Sequence, residues 1–375
     1  MSILPYANQN VWELVAYKPG KPVDETAREL GMTPEEIVKL ASNENSLGPS
    51  PLALKAMQEA ITGAHIYPDG ASFALRSRLA AVYGVAFEQT AVGNGSSELI
   101  ELLGHAFLKP GTEVVAAEYS FAMYSIVAKL FGADYVSVPN KPDWTHDLQG
   151  ILQAITPRTR LVFITNPTNP VGTMVGQEEI DAFMAAVPEH VTIVFDEAYM
   201  EFAAEQVNTV KYVREGRHVA VLRTFSKAYG LAGVRVGYAI TTEEIAGLIN
   251  KARSPFNVNL VAQSGALAAL DDAEHLRRSV AMVNAGRAAY YAAFESMGVE
   301  YIPCHTNFIL VRVGDGAGVY AAALARGVIT RPMGGYGLPE YIRITIGNES
   351  ENRKCLAVLR ELLMPGAESR GSQHA

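Results

Sequence analysis

The sequence predicts an α/β protein, a mostly parallel central sheet in a large unit followed by a smaller α+β unit, and three observations predict it. First, the runs Arg160 to Thr165, Val191 to Phe195 and Val219 to Leu222 are strand-like and apolar. They alternate with helical patterns such as Glu178 to Val187, whose apolar Ile180, Phe183, Met184 and Val187 share one face. That alternation is the signature of parallel strands joined by crossover helices. Second, Asn169, Asp196 and Lys227 each fall just past the carboxyl end of such a run, where ligands gather in open α/β sheets. Third, the pattern changes after about Arg253. Alanine-rich helical stretches, Leu260 to Leu270 and Leu276 to Phe294, lead to short strands at Phe308 to Val313 and Tyr341 to Ile346.

Taken in chain order, the first chemical element is Val92-Gly93-Asn94-Gly95-Ser96-Ser97-Glu98, ahead of the helical pattern Leu99, Ile100, Leu102, Leu103. Glycines followed by small hydroxyl residues at a helix start offer free backbone amides and the positive end of the helix dipole to a phosphate. Tyr124, in Phe121-Ala122-Met123-Tyr124, is the aromatic expected to lie flat against a planar ligand ring. Asn166-Pro167-Thr168-Asn169-Pro170-Val171-Gly172 is a turn that ends a strand, and Asn169 there can donate a hydrogen bond. Asp196 follows the next strand, with Glu197, Ala198 and Tyr199 after it. A carboxylate at that place can pair with a pyridine nitrogen and keep it protonated, because opposite charges at close range favour both charged forms.

The most informative stretch is Arg223-Thr224-Phe225-Ser226-Lys227-Ala228-Tyr229-Gly230-Leu231-Ala232-Gly233-Val234-Arg235. A lysine amine can form a Schiff base with a carbonyl cofactor, and the surrounding Thr224, Ser226 and Arg235 can hold a phosphate. One segment thus supplies what is needed to anchor a phosphorylated aldehyde.

With these pieces in order, the chain resembles the fold type I pyridoxal phosphate enzymes of the class I/II aminotransferase family. The resemblance also rests on Leu40-Ala41-Ser42-Asn43-Glu44-Asn45, Gly48-Pro49-Ser50-Pro51, Tyr67-Pro68-Asp69-Gly70, Ser254-Pro255-Phe256-Asn257-Val258-Asn259 and Arg343-Ile344-Thr345-Ile346-Gly347, and covers nearly the whole chain. It implies a three-layer aminotransferase fold: an N-terminal arm with part of the small domain at 1–40, a large cofactor-binding domain at 41–253 and a small domain at 254–375. It implies pyridoxal 5'-phosphate as cofactor, with Lys227 as Schiff-base lysine and proton carrier and Asp196 on the ring nitrogen. Tyr199 and Asn169 are implied on the phenolic oxygen, and Gly95, Ser96, Ser97, Thr224, Ser226 and Arg235 on the phosphate. Relatives often carry an acidic residue where Ser97 stands, a contact made largely through the backbone amide. Tyr67 is implied to reach the phosphate of a neighbouring subunit's cofactor, so a homodimer is expected.

For substrate, the resemblance assigns Arg343 to the α-carboxylate of an amino acid, a bidentate pairing that lysine does not reproduce. Arg331, with Tyr17, is assigned to a second anion. Histidinol phosphate carries a phosphate where an amino acid carries its carboxylate, and glutamate carries two carboxylates. Two arginines in one pocket therefore suit transamination between histidinol phosphate and 2-oxoglutarate. The alternatives are an aromatic amino acid aminotransferase, a decarboxylase of phosphothreonine and a non-catalytic cofactor-binding regulator, and Tyr17, Tyr336 and Phe256 are the residues expected to decide side-chain preference. A regulator of this kind usually carries an added DNA-binding domain and a retired copy loses the lysine or the aspartate, whereas Lys227 and Asp196 are both present.

Composition agrees. A 375-residue chain with 49% hydrophobic residues can bury a sizeable core, and a formal charge of -8 disfavours nucleic acid or anionic membrane as partner. Two cysteines, Cys304 and Cys355, make no disulfide framework and suit a reducing compartment. No apolar run approaches the roughly 20 residues of a membrane helix, and Met1-Ser2-Ile3-Leu4-Pro5-Tyr6 lacks the plan of a secretion signal, so a cytoplasmic enzyme is expected. The tail from Gly366 to Ala375 is polar and expected to fray.

Overall fold

In the computed structural model of the protein, which describes residues 2–15 and 20–364, the chain forms three layers around a seven-stranded sheet. A short β1 (Val38–Lys39) precedes the seven strands β2 (Thr90–Gly93), β3 (Glu113–Ala117), β4 (Asp134–Val138), β5 (Thr159–Thr165), β6 (Thr192–Asp196), β7 (Val219–Thr224) and β8 (Gly237–Thr241). Their order is β2-β8-β7-β6-β5-β3-β4, and β8 alone runs against its neighbours. The expected mostly parallel sheet is therefore present, and the three strand-like runs are β5, β6 and β7.

Both faces of this sheet are covered, which is why its strands read as continuous apolar runs and not as alternating ones. Val162, Ile164, Ile193, Phe195, Val219 and Val221 point to one face, packing with Ile180, Phe183 and Met184 of the helix Gln177–Ala186. Their neighbours Leu161, Phe163, Val194, Ala220 and Leu222 point to the other, against Leu99, Ile100 and Leu103 of the helix Ser96–Phe107. Period-two alternation thus builds two cores from one set of strands.

A second body of structure forms around β9 (Tyr301–Ile302), β10 (Phe308–Arg312), β11 (Val328–Ile329), β12 (Arg331–Pro332) and β13 (Tyr341–Thr345). The order β12-β13-β10-β9 is antiparallel throughout, and β1 pairs in parallel with β11. The helix Ala273–Met297 extends the expected helical stretch at both ends, and its Val283, Tyr290 and Phe294 join Phe308, Ile342 and Ile344 in a core of their own. The helix Leu260–Ala269 is different, since its Ala262, Ala266 and Ala269 pack with Ala53, Leu75 and Leu79 into the core of the large sheet.

Glycine matters most where the two ends of the site meet. Gly230 has φ +71°, and a Cβ built there would lie 2.1 Å from the carbonyl oxygen of Gly48. The backbone at 48 is thereby pressed onto the turn that carries Lys227, and Asn45 Nδ2 donates to Ala228 O at 2.9 Å beside it. Gly230→Ala is expected to destabilise the fold by roughly 3 kcal/mol, combining left-handed strain with a backbone clash. Denaturant midpoints of the two proteins check this, and an unchanged midpoint would mean that the two segments are free to separate.

Candidate active site

The site lies at the carboxyl ends of β5, β6 and β7, where three loops leave the sheet side by side. A cavity of about 260 Å³ opens there, and its walls include Ser96, Ser97, Asn169, Asp196, Tyr199, Thr224, Ser226, Lys227, Arg235, Arg331 and Arg343. Residues spread over 248 positions of sequence, from Ser96 to Arg343, thus meet in one place.

One end is built for an anion. Ser96 and Ser97 open the helix Ser96–Phe107, whose N-cap Gly95 has φ +86°. Free amides and the helix dipole face the cavity there. Arg235 crosses in front, its Nη1 donating to Ser226 Oγ at 3.2 Å, while the Ser226 amide donates to Thr224 Oγ1 at 3.1 Å. A Cβ at Gly95 would sit 2.2 Å from Arg235 Nη2, so glycine is what lets the guanidinium lie against the loop. Gly95 therefore contributes by leaving room.

The other end holds the buried carboxylate. Asp196 is 3% exposed, and Tyr124 donates to its Oδ2 at 2.8 Å. Its Oδ1 is buried with no hydrogen-bond partner among the described residues, an orphan acceptor that a protonated ring nitrogen would satisfy. Burial raises the Asp196 carboxyl to about 6, opposed by the hydrogen bond from Tyr124 and by the nearby Ala198 amide, so it is still largely ionised at neutral pH. An anion cradle and an unpartnered carboxylate oxygen facing one cavity fit the phosphate and the pyridine nitrogen of pyridoxal phosphate.

Between the two ends lies Lys227. Its Nζ donates to Ser42 O at 3.1 Å and stands 5.7 Å from the centre of the Tyr199 ring. Burial, followed by the nearby Arg343, lowers its ammonium from 10.5 to about 8. The neutral, nucleophilic amine is accordingly present at a pH well below that of an ordinary lysine. Covalent capture of pyridoxal phosphate by apoprotein is expected to accelerate as pH rises to about 8 and to level off above, which stopped-flow absorbance would follow. A rise continuing to pH 10 would show an unperturbed amine.

Tyr199 is buried, and its hydroxyl accepts from Asn43 Nδ2 at 2.9 Å. Burial raises the phenol to about 12, so its proton stays on and, with Asn43 as donor, is left to point elsewhere. Asn169 accepts from Arg343 Nη1 through Oδ1, which turns its amide nitrogen into the end able to donate. Arg343 is 7% exposed, lies over the Phe308 ring at 5.0 Å and also donates to Ala41 O at 3.2 Å. On the adjacent strand Arg331 is its direct cross-strand partner, so both guanidiniums rise from one face of the sheet.

The layer beneath is ionic. Arg223 on β7 pairs with Glu197 at 2.6 Å and Glu201 at 3.3 Å, all three buried. Glu197 follows Asp196 and Arg223 precedes Thr224, so this pair ties the carboxylate end to the phosphate end. Removing one partner of such a pair costs about 3–5 kcal/mol.

Tyr124 is a correction. Its ring is fully buried, stacked on Phe163 with centroids 4.2 Å apart, and cannot lie flat on a ligand. Phe121 lines the cavity in its place and meets Tyr124 edge-on at 5.9 Å. Phe121 sits in the loop after β3, whereas Tyr124 is already inside the helix Met123–Leu130. The rule that ligands collect just past strand ends would have selected it. Phe256 does not line this cavity either; it stacks on Tyr67 with centroids 4.5 Å apart, and Tyr67 is 78% exposed. Tyr336 does line it, and Tyr17 lies outside the described residues. Ser42, Asn43 and Thr165 are further lining residues that the sequence did not single out for a role.

Comparison with known proteins agrees with this geometry. The family model for aminotransferase class I and II matches residues 35–359. The histidinol-phosphate aminotransferase of Akkermansia muciniphila is 62% identical over 97% of this chain and 100% of its own length. Histidinol-phosphate aminotransferase 2 of Ralstonia nicotianae is 46% identical over 96% of this chain and 98% of its own. Among solved structures, histidinol-phosphate aminotransferase from Sinorhizobium meliloti in complex with pyridoxal-5'-phosphate superimposes with a TM-score of 0.86 at 28% identity, covering 95% of this chain and 98% of that one. That from Clostridium acetobutylicum gives 0.81 at 26% identity, with 87% and 99% covered. By sequence, fold and the arrangement of its cavity, this chain belongs to the class I and II aminotransferases.

Proposed function

We propose that the protein transfers the amino group between L-histidinol phosphate and 2-oxoglutarate, giving imidazole-acetol phosphate and glutamate in histidine biosynthesis. The observation that carries this reading is the pair Arg331 and Arg343, directly opposite on β12 and β13 and lining the same cavity as Lys227. The names of the two relatives from Akkermansia muciniphila and Ralstonia nicotianae support it.

In this reading Ser96, Ser97, Thr224, Ser226 and Arg235 hold the phosphate of pyridoxal 5'-phosphate, Asp196 the ring nitrogen, Tyr199 and Asn169 the phenolic oxygen. When bound, the cofactor supplies an aldehyde carbon that condenses with amines and a protonated ring that draws off the electron pair left at the substrate's α-carbon. Lys227 would hold the cofactor by its aldehyde carbon and, as the one amine lining the cavity among the described residues, would be the base that carries the substrate's α-proton. Tyr199 keeps its proton and would donate a hydrogen bond to the phenolic oxygen. Arg343 and Arg331 bind the carboxylates of glutamate in one half-reaction, and the phosphate of histidinol phosphate in the other. Asn169 and Arg343 hold one another, so the substrate anion and the cofactor ring are set in a common frame.

The proposal extends to assembly and location. Ile66, Tyr67 and Phe256 line one exposed apolar surface, which supports a homodimer in which Tyr67 serves the neighbouring subunit's site. Among the described residues no helix is long and apolar enough to cross a membrane, and with the net charge of -8 this supports a cytoplasmic enzyme. The proposed division is an arm with part of the small domain at 1–40, where β1 pairs with β11, a large unit from 41 and a small unit after it; the packing of Leu260–Ala269 into the large unit's core favours a boundary past Ala269 rather than at 253.

The test of specificity is kcat/KM for histidinol phosphate against phenylalanine. Phenylalanine offers Arg331 and Arg343 a singly charged carboxylate where histidinol phosphate offers a more highly charged phosphate with one more acceptor oxygen, so a preference on the order of 10² for histidinol phosphate is expected, the worth of about one charged hydrogen bond. Equal or reversed preference would move the protein to aromatic amino acid metabolism.

A further inference from the structure

Asp196 is held by something no sequence motif explains. Thr165 Oγ1 lies 2.7 Å from the Tyr124 hydroxyl, which lies 2.8 Å from Asp196 Oδ2. A phenol has one proton, and an ionised carboxylate only accepts, so the Tyr124 proton goes to Asp196 and Thr165 donates to Tyr124. The result is a one-way donor chain from a cavity-lining threonine, through a fully buried tyrosine, onto one oxygen of the carboxylate. Stacking on Phe163 fixes the Tyr124 ring, so the hydroxyl has one place to aim.

We propose that Tyr124 is a positioning residue: its hydroxyl occupies Asp196 Oδ2, leaves Oδ1 alone to face the ring nitrogen, and keeps the shared proton on that nitrogen. This rests on the reading that the cavity holds pyridoxal phosphate. The physical reason concerns two forms of one contact, N–H⁺ facing a carboxylate or bare N facing a carboxylic acid. Water would favour the ionic form, but this carboxylate is buried. A hydrogen bond from Tyr124 stabilises only the charged carboxylate and so restores the balance. The other groups acting on Asp196 are the Ala198 amide, which favours its charge, Glu197, which opposes it, and Lys227, which favours it. Lys227 would be engaged at the cofactor's aldehyde carbon, away from the ring nitrogen, and Glu197 is occupied by Arg223. Tyr124 is then the strongest side-chain donor left to hold the ionic form. Tyr199, on the same loop, has its hydroxyl engaged by Asn43.

The test uses enzyme loaded with cofactor labelled with ¹⁵N in the ring, together with cofactor titration of the apoprotein. For the unaltered protein the ring nitrogen is expected to resonate as protonated near neutral pH. In Tyr124→Phe the signal is expected to move toward the unprotonated value, and cofactor affinity to fall roughly tenfold, the worth of one hydrogen bond to a buried charge. Phe163→Leu loosens the stack behind Tyr124 without removing a donor, and its ring-nitrogen signal is expected to move by clearly less than that of Tyr124→Phe. Thr165→Val removes the donor behind Tyr124 and is expected to move the signal in the same direction by less. A Tyr124→Phe signal identical to that of the unaltered protein, or an equal displacement in Phe163→Leu, overturns the proposal. If Tyr124→Phe does not fold, an unmoved signal in Thr165→Val overturns it. Failure of the unaltered protein to bind the cofactor would instead overturn the reading of the cavity.

Discussion

Lys227→Ala is expected to lower turnover by at least about 10⁴-fold, because it removes both the nucleophile that captures the cofactor and the group that carries the α-proton. The fold should survive. The amine donates one hydrogen bond, to Ser42 O, and burial already disfavours its charge, so its removal relieves about as much as it loses. Steady-state kinetics with histidinol phosphate, alongside a thermal melt, separates the two. Normal turnover in a folded variant would mean that another group performs the chemistry, and no other amine lines the cavity among the described residues.

Asp196→Asn has the second-largest expected effect. The amide keeps the shape and can still accept at Oδ1, but it carries no charge to hold a proton on the ring nitrogen. Losing one charge of a buried pair costs about 3–5 kcal/mol, or roughly 10²–10⁴ in kcat if the loss is felt fully in the transition state. KM for glutamate should change little, since Arg343 and Arg331 lie on a different sheet. A fall in affinity for glutamate with kcat preserved would instead place Asp196 in substrate binding. The pH dependence has a defined sign: burial raises Asp196 to about 6, so apoprotein should lose cofactor affinity as pH falls through that value and the carboxylate is neutralised.

Much of this site was legible because the sheet is covered on both faces. Strands β5, β6 and β7 are apolar over Leu161 to Ile164, Ile193 to Phe195 and Val219 to Leu222, so the polar residues that follow within a few positions, Asn169, Asp196 and Lys227 among them, stood out at the sheet's carboxyl edge. What could not be read is what depends on three-dimensional register. Arg331 and Arg343 are cross-strand partners only because β12 and β13 pair where they do, and nothing in either segment names its partner residue. Asn43 reaches Tyr199 across 156 positions of sequence, at a backbone φ of +56° that its own segment does not announce. Tyr124 and Phe121 are three residues apart, and choosing between them required knowing that the helix begins at Met123. The alanine-rich helix Leu260–Ala269 is apolar nearly all round, so its pattern shows that it is buried without showing against which core.

The central claim is that this cavity moves an amino group between two substrates that both end in an anion. The most direct measurement is a product balance: purified protein with pyridoxal phosphate, L-histidinol phosphate and 2-oxoglutarate, with glutamate and imidazole-acetol phosphate quantified together. Equal amounts of the two products, with no carbon dioxide released, are the predicted result. Consumption of histidinol phosphate without glutamate, or no consumption by protein that has bound its cofactor, would contradict it.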